Sequence, residues 1–337
     1  MRVFEIQESF GLDSLRIAER DMPKPGPGQV LVKIKAASLN YRDLLTVTGA
    51  YNPRQPLPLI PLSDGTGEVV ELGEATSRFK VGDRVCGIFA QKWLYGRPTK
   101  AKLATTLGGP LDGMLAEYVC LHEDGLVKIP DYLSFEEAAT LPCAAVTAWN
   151  ALVTHGNLRA GQTVLVQGTG GVSIFALQIA RMMGARVIVT SSSEDKLERA
   201  RALGADATIN YKLTPDWDKK VRELTDGEGV DHVVEVGGAG TFEKSIKAVR
   251  FAGRISIIGI LSGTTTQLNL IPLLMQNITA QGIIVGSRET FEEMNLAFAQ
   301  NQIRPVIDKV YSFEDSIEAF KYLASGSHFG KICIRIS

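Results

Sequence analysis

The residues with the plainest chemical meaning are Thr163–Ser173, TVLVQGTGGVS, which run directly into IFALQIARMMGA. An apolar strand meets Gly168, Gly170 and Gly171, and a helix begins at Val172. Glycines at those points permit a tight strand-to-helix turn and let a diphosphate approach bare backbone N–H groups at the helix N-terminus. The third position of this fingerprint holds Ser173, a small residue that still allows close helix–strand packing. Tight glycine turns also occur for structural reasons alone. Here at least three further strand–helix units follow, and that context favours dinucleotide binding.

The end of the next strand bears on which dinucleotide. A carboxylate there would hold the ribose hydroxyls of NAD. This strand ends Val189-Thr190-Ser191-Ser192-Ser193, with no acid before Glu194. Hydroxyls at Ser191 and Ser192, with Lys196 nearby, suit a 2′-phosphate, so NADP(H) is preferred and NAD(H) remains possible. The other reading is that the serines only cap the following helix, which leaves Glu194 to reach a ribose.

These residues need a scaffold, and the chain has two textures. Up to about residue 125 it is strand-rich and turn-punctuated. Val30–Ala36 alternates at period two, and short strands are expected at Gly65–Leu72, Val81–Ile88 and Ala116–Leu121. Long loops separate them at Asn52–Pro61 and Gln91–Gly113. After Pro130 a helix is expected over Ser134–Ala151, with Ser134 as its cap. Strands at Thr163–Gln167, Arg186–Thr190, Ala207–Ile209, Val230–Val236 and Gly253–Ile260 then alternate with helices at Val172–Met183, Glu194–Leu203, Asp216–Thr225 and Thr241–Val249. Apolar strands alternating with amphipathic helices predict a doubly wound parallel sheet, an α/β fold of Rossmann type. Two helices and a closing strand, Lys331–Ile336, are expected within Glu289–Ser337.

Composition narrows the function classes. The 337 residues are 45% hydrophobic and 22% charged, with a formal net charge of −1. Two domains are expected at this length. No basic cluster invites nucleic acid or an anionic membrane, and no apolar run approaches the roughly 18 residues of a membrane span. The start, MRVFEIQESF, has no signal-peptide core. Cys86, Cys120, Cys143 and Cys333 form no closely spaced pair, so a reducing cytoplasm is the expected setting. The four histidines, His122, His155, His232 and His328, share no metal-type spacing and are expected at the surface or at helix ends.

From end to end the chain resembles the medium-chain dehydrogenase/reductase superfamily, most closely its zinc-free, quinone oxidoreductase-like branch. The likeness is carried by Ala37–Asp43 (ASLNYRD), Gly65–Gly73 (GTGEVVELG), Val81–Val85 (VGDRV), Leu141–Ala148 (LPCAAVTA), the glycine turn and Arg201–Tyr211 (RALGADATINY). It implies a mostly antiparallel, GroES-like catalytic domain from residues 1–127 and 287–337, and a Rossmann domain from 128–286. It also implies a homodimer or homotetramer, paired through Asn269–Val285. By alignment, the catalytic zinc ligands of the alcohol dehydrogenases fall here on Asn40, on Ser63 followed by Asp64, and on Cys143. A single thiol cannot hold a tetrahedral zinc, and no cysteine-rich lobe occurs in Gln91–Gly113, so no metal is expected. Cys143 also reads as an apolar core residue.

Without a metal, hydrogen-bond donors must steady the oxygen of the hydride acceptor. The resemblance points to Asn40 and Tyr51 for that role, and chemistry alone adds Arg42 as a fixed cation. Each has a structural alternative: a turn for Asn40, a packed loop aromatic for Tyr51, and an ion pair with Asp43 or Asp64 for Arg42. Family positions further place Thr147, Gly259, Ile260, Val285, Gly286 and Ser287 about the nicotinamide, Tyr211 by the adenosine phosphate and Lys331 at the diphosphate. The expected activity is NAD(P)H-dependent hydride transfer to a small conjugated carbonyl, a quinone or enone. The alternatives are a carbonyl reductase or alcohol dehydrogenase with the same cofactor, and a catalytically silent nucleotide-binding protein.

Overall fold

Strands buried on both faces are rich in apolar residues, and the second half of the chain builds the centre of its sheet from such strands. The computed structural model describes residues 1–337 as two compact units, Met1–Val146 with Val285–Ser337, and Thr147–Ile284.

The second unit holds six parallel strands: Thr163–Gln167, Arg186–Ser191, Ala207–Asn210, Val230–Glu235, Val249–Ile257 and Thr279–Gly282. Numbered in that order, they lie side by side as 3-2-1-4-5-6, the order of a dinucleotide-binding sheet with its ligand crevice at the carboxyl ends. Leu165, Ile188, Val233 and Ile255 pack a core with Trp217, Val221 and Ile246 from the covering helices. Strand five starts at Val249 and strand six was not foreseen, because Thr279–Gly282 is a largely exposed edge without apolar alternation.

The first unit is dominated by a mostly antiparallel sheet. Its strands run in the order Ile307–Ser312, Lys331–Arg335, Gln29–Ser38, Asp64–Leu72, Arg84–Gly87 and Leu126–Lys128, and Tyr118–His122 pairs separately with Gln29–Ser38. A two-stranded ladder, Arg2–Ile6 with Leu15–Glu19, completes the unit. The sheet closes tightly at Gly67, where an added Cβ would stand 2.2 Å from the Lys33 carbonyl oxygen. Phe4 meets Phe313 edge-on at 5.0 Å between centroids within the core.

Three expectations are corrected. The helix over Ser134–Ala151 is interrupted: α-helix at Phe135–Ala139 gives way to wider turns at Leu141–Ala145 and Asn150–Thr154, consistent with Pro142, which has no N–H to donate. The first unit also extends to Val146 and resumes at Val285, past the expected boundaries at 127 and 287. Phe135–Ala139 belongs there because it bonds into the antiparallel sheet: the Thr66 hydroxyl donates to the Phe135 carbonyl at 2.7 Å, and Arg335 pairs with Glu136 at 2.7 Å. Finally, Ile307–Ser312 is a strand, and Tyr41–Val47 is a short helix.

His232 is a fourth departure, since it lies inside the parallel sheet with 4% exposure. Burial, with Arg254 and Arg250 nearby, pulls its pKa down to about 4 against the contrary pull of Asp231. The ring therefore stays neutral in the folded chain while the unfolded chain takes up a proton near pH 6.5. Its contribution is complete above pH 6.5 and is lost as pH falls toward 4, by about 2–3 kcal/mol. Urea unfolding at pH 7 and pH 4.5 should show His232→Leu losing less stability on acidification than the wild type; equal losses would refute this role.

Candidate functional site

The first unit gathers its polar residues by strand register. Ser38 stands opposite Asp64 on one side and Cys333 on the other. Continuing the antiparallel register with Cys333 sets Asn40, two residues past Ser38, opposite Lys331, two before Cys333. The Leu39 N–H accordingly donates to the Ile332 carbonyl at 3.0 Å. Lys331, only 3% exposed, donates from Nζ to Asn40 Oδ1 at 2.6 Å and to the Leu39 carbonyl at 2.5 Å. Asn40, 9% exposed, precedes the Tyr41–Val47 helix; its N–H donates to Asp43 Oδ2 at 2.8 Å, and its Nδ2 lies 3.4 Å from Ser63 Oγ.

Two carboxylates lie beneath. Asp64 is wholly buried, accepting from Ser63 Oγ at 2.7 Å and from the Cys143 N–H at 3.1 Å. Burial raises its pKa, while Lys331, Asn40, Ser63 and the Cys143 N–H hold it down. Asp43, also wholly buried, is pushed up to about 6 by burial, with Arg42 the main opposing influence. Burial, then Asp64, pushes the Cys143 thiol well above its ordinary range. Such a shift disfavours a thiolate nucleophile at this position.

Arg42 takes the structural alternative. Its guanidinium pairs with Asp43 at 3.1 Å and donates to the carbonyls of Leu107 and Gly109 at 3.0 and 3.1 Å. It lies 5.0 Å from the Tyr51 ring centroid and 5.1 Å from that of Phe89. Burial opposes its charge, but Asp43, Tyr51 and Cys143 reinforce it, and its pKa ends above the ordinary value. Arg42 thus clamps the loop around Leu107–Gly109. Tyr51 rests on this cation with 53% of its surface exposed.

In the second unit, Gly168 adopts φ 71° at the end of the first strand, a conformation that favours glycine, and its N–H donates to Thr190 O at 2.8 Å. Gly170 caps the Gly171–Met182 helix, whose first turn holds Val172. Ser173 is more than a small residue here: its buried hydroxyl donates to the Gln167 carbonyl at 2.7 Å and ties the helix to its strand. Ser191 ends the second strand, and its carbonyl accepts from the Tyr211 N–H at 3.0 Å, so those two expected residues adjoin. Ser193 accepts from the Lys196 N–H at 3.4 Å as the cap of the next helix, close to half-buried Ser192. Glu194 is held by Asn210 Nδ2 at 2.7 Å and lies 4.0 Å from Arg201.

Other expected residues are dispersed or already committed. Thr147 is buried and Ile260 is half-exposed. Gly259 has no space for a side chain, since a Cβ would stand 2.4 Å from the Val236 carbonyl. Val285 is held at φ 36°, an unusual conformation for a β-branched residue. Ser287 caps the Arg288–Asn301 helix, its hydroxyl accepting from the Thr290 N–H at 3.2 Å. Lys331, expected at a diphosphate, is engaged by Asn40 and Leu39.

Sequence reasoning missed the network around Glu235. This wholly buried carboxylate accepts from Gln167 Nε2, Ser245 Oγ, Thr241 Oγ1 and the N–H groups of Gly237 and Gly238, at 2.5–2.9 Å. It fixes the loop that follows the fourth strand. The available signal was an acid at the carboxyl end of a strand, followed after one residue, Val236, by two glycines. A cavity of about 220 Å³ at the opposite, N-terminal pole of the sheet, lined by Arg159, Arg250, Arg254 and His232, is not the cofactor crevice.

Residues 171–301 match the family model for zinc-binding dehydrogenase, and residues 26–131 match that for the alcohol dehydrogenase GroES-like domain. A zinc-type alcohol dehydrogenase-like protein of Schizosaccharomyces pombe is 46% identical, covering 98% of this chain and 97% of its own. An acryloyl-coenzyme A reductase of Metallosphaera sedula is 31% identical, covering 94% and 95%. The crystal structure of an NAD-dependent alcohol dehydrogenase superposes with a TM-score of 0.93 at 37% identity, covering all of both chains.

Ser173→Ala should lower stability by about 1–2 kcal/mol through loss of a buried hydrogen bond, read as a fall in the urea midpoint with an unchanged slope. An unchanged midpoint would show that the hydroxyl is dispensable.

Proposed function

Because the chain belongs to the medium-chain dehydrogenase/reductase superfamily, we propose that it is an NADPH-dependent reductase of conjugated carbonyls, quinones or enones, working without a metal. Membership makes it a nicotinamide-dependent oxidoreductase; the finer reading rests chiefly on Asn40. A side-chain amide stands where the zinc-dependent members keep a thiolate ligand, beside Ser63 and Asp64 rather than a histidine and glutamate. With Cys143 as its single thiol, this donor set does not fit tetrahedral zinc.

Hydrogen-bond donors must then carry the negative charge that develops on the acceptor oxygen. Asn40 and Tyr51 fill that role, with Arg42 acting through Tyr51 and its own loop. An enolate oxygen suits such donors, and solvent supplies the proton that completes the saturated product. The similar acryloyl-coenzyme A reductase supports this acceptor class, since an acryloyl thioester is a conjugated carbonyl.

NADPH is favoured by the serine hydroxyls at Ser191 and Ser192, by Lys196, and by a Glu194 carboxylate already held by Asn210. Gly168, Gly170, Gly171 and Val172 receive the diphosphate, with Tyr211 toward the adenosine end. Thr147, Gly259, Ile260 and Val285 serve the nicotinamide end, Ser287 through its backbone. The similar alcohol dehydrogenases favour the second reading, a carbonyl reductase or alcohol dehydrogenase, with NADH as the competing cofactor.

A second copy of the chain is the proposed partner, as homodimer or homotetramer. Leu270, Ile271, Leu274 and Met275 are exposed beside the open edge strand Thr279–Gly282, as a sheet-pairing interface requires. No helix is long and apolar enough to cross a membrane. The four free cysteines support a cytoplasmic setting.

Cofactor oxidation with quinones, enones and aldehydes, run separately with NADPH and NADH, tests the reading. A saturated ketone from an enone, formed faster with NADPH, is the expected result. An allylic alcohol would support the second reading, and tight NADPH binding without turnover would support a silent binding protein. Asn40→Ala should lower kcat about 100-fold with the NADPH dissociation constant unchanged. A kcat within twofold of wild type would remove Asn40 from the chemistry.

A further inference from the structure

Four buried ionic side chains converge on the Asn40 site: Asp43, Asp64, Arg42 and Lys331. Arg42 is spoken for by Asp43 and by two loop carbonyls. Lys331 is the remaining cation, and it comes from the far end of the chain on the closing strand. Its Nζ sits on Asn40 Oδ1 at 2.6 Å and on the Leu39 carbonyl, within electrostatic reach of both Asp64 and Asp43.

The oxygen atoms the cluster could offer a metal already accept hydrogen bonds. Asn40 Oδ1 accepts from Lys331, and Asp64 accepts at one oxygen from Ser63 and at the other from the Cys143 N–H. Both oxygens of Asp43 accept as well, one from the Asn40 N–H and the other from Arg42 and the Ser63 N–H. Two carboxylates face two fixed cations, so the cluster is balanced without any further positive charge. A divalent ion entering it would stand beside an ammonium with no high-dielectric solvent to screen the two.

We infer that Lys331 is the resident cation of this site: its ammonium takes the electrostatic place that zinc holds in metal-dependent members, excludes a divalent ion and orients Asn40. The orientation follows from donor chemistry. An ammonium has three donors and no acceptor, so the Asn40 amide must turn its oxygen toward Lys331. The NH2 end, on the Ser63 side, is thereby the end that can donate. Lys331 is thus a positioning residue for Asn40. The inference deepens the metal-free part of the proposed function, and it is independent of which acceptor is reduced.

The test rebuilds the ligand set in the full-length chain and needs neither substrate nor cofactor. Asn40→Cys with Ser63→His restores a cysteine and a histidine beside Cys143. This double variant is compared with the triple variant that adds Lys331→Met, by cobalt(II) titration followed through the visible d–d absorption and by elemental analysis for zinc. The expected result is no cobalt band in the wild type, weak binding in the double variant, and at least about 100-fold tighter binding once Lys331 is removed. Equal cobalt affinity with and without Lys331 would overturn the exclusion. So would one equivalent of tightly held zinc in the wild type.

The positioning role is read separately, in the otherwise wild-type chain. Lys331→Met should lower kcat at least 10-fold on whichever acceptor is turned over, with NADPH affinity held and with partial rescue by Lys331→Arg. A large loss of NADPH affinity instead would assign Lys331 to the cofactor and overturn this part. Lys331→Met combined with Asp64→Asn keeps the cluster neutral, and it serves in the metal titration should the single change fail to fold.

Discussion

Burying charge is the constraint around which the first unit is arranged. An isolated carboxylate in a dry interior is costly, and it persists only when cations and hydrogen-bond donors surround it. Asp43 and Asp64 meet that condition because three chain segments, remote in sequence, end at one place. The pairing of Ser38 with Asp64 and with Cys333 sets the positions, and a one-residue slip in either ladder would turn the wrong side chains inward. Register in the antiparallel sheet and charge balance at the Asn40 site are therefore a single requirement, and Gly67 contributes by letting two strands approach where no side chain fits.

The second unit divides its labour between the two ends of one sheet. At the carboxyl ends, the glycine turn and the Glu235 loop border the end of the sheet where dinucleotide-binding folds keep their ligand crevice. At the amino ends, Asp231 accepts from the Thr163 N–H at 2.7 Å and pairs with Arg250 at 2.6 Å, holding the strand starts together. One pole is thus built for ligand and the other for cohesion, and the polar residues of each do different work.

Legibility in the sequence followed burial. The parallel strands could be read because both faces are covered, so short apolar runs such as Val164–Val166 and Val187–Val189 stand out at their centres. The glycine turn could be read because its backbone demand has few residue solutions. The strand Ile307–Ser312 could not, since its burial is irregular and no alternation marks it. The helix Tyr41–Val47 was hidden for the opposite reason: it buries Arg42 and Asp43, and charged residues on an inward face imitate a loop. Asn40 was recognisable by its place in a motif. Lys331 as its partner was not, because an ion-pair network joins residues from opposite ends of the chain and leaves no local pattern. Ser287 and Ser173 show the same limit, since a hydroxyl's partner is invisible until the backbone around it is known.

The Glu235 network has a thermodynamic consequence. Five donors from Gln167 to Ser245 converge on one carboxylate, so the backbone from Val236 to Thr241 is ordered before any nucleotide arrives. A loop that must be frozen by its ligand subtracts that lost entropy from the affinity; one already frozen does not. Association at this end of the sheet should therefore resemble docking onto a rigid surface, with little of the heat-capacity signature that accompanies coupled folding.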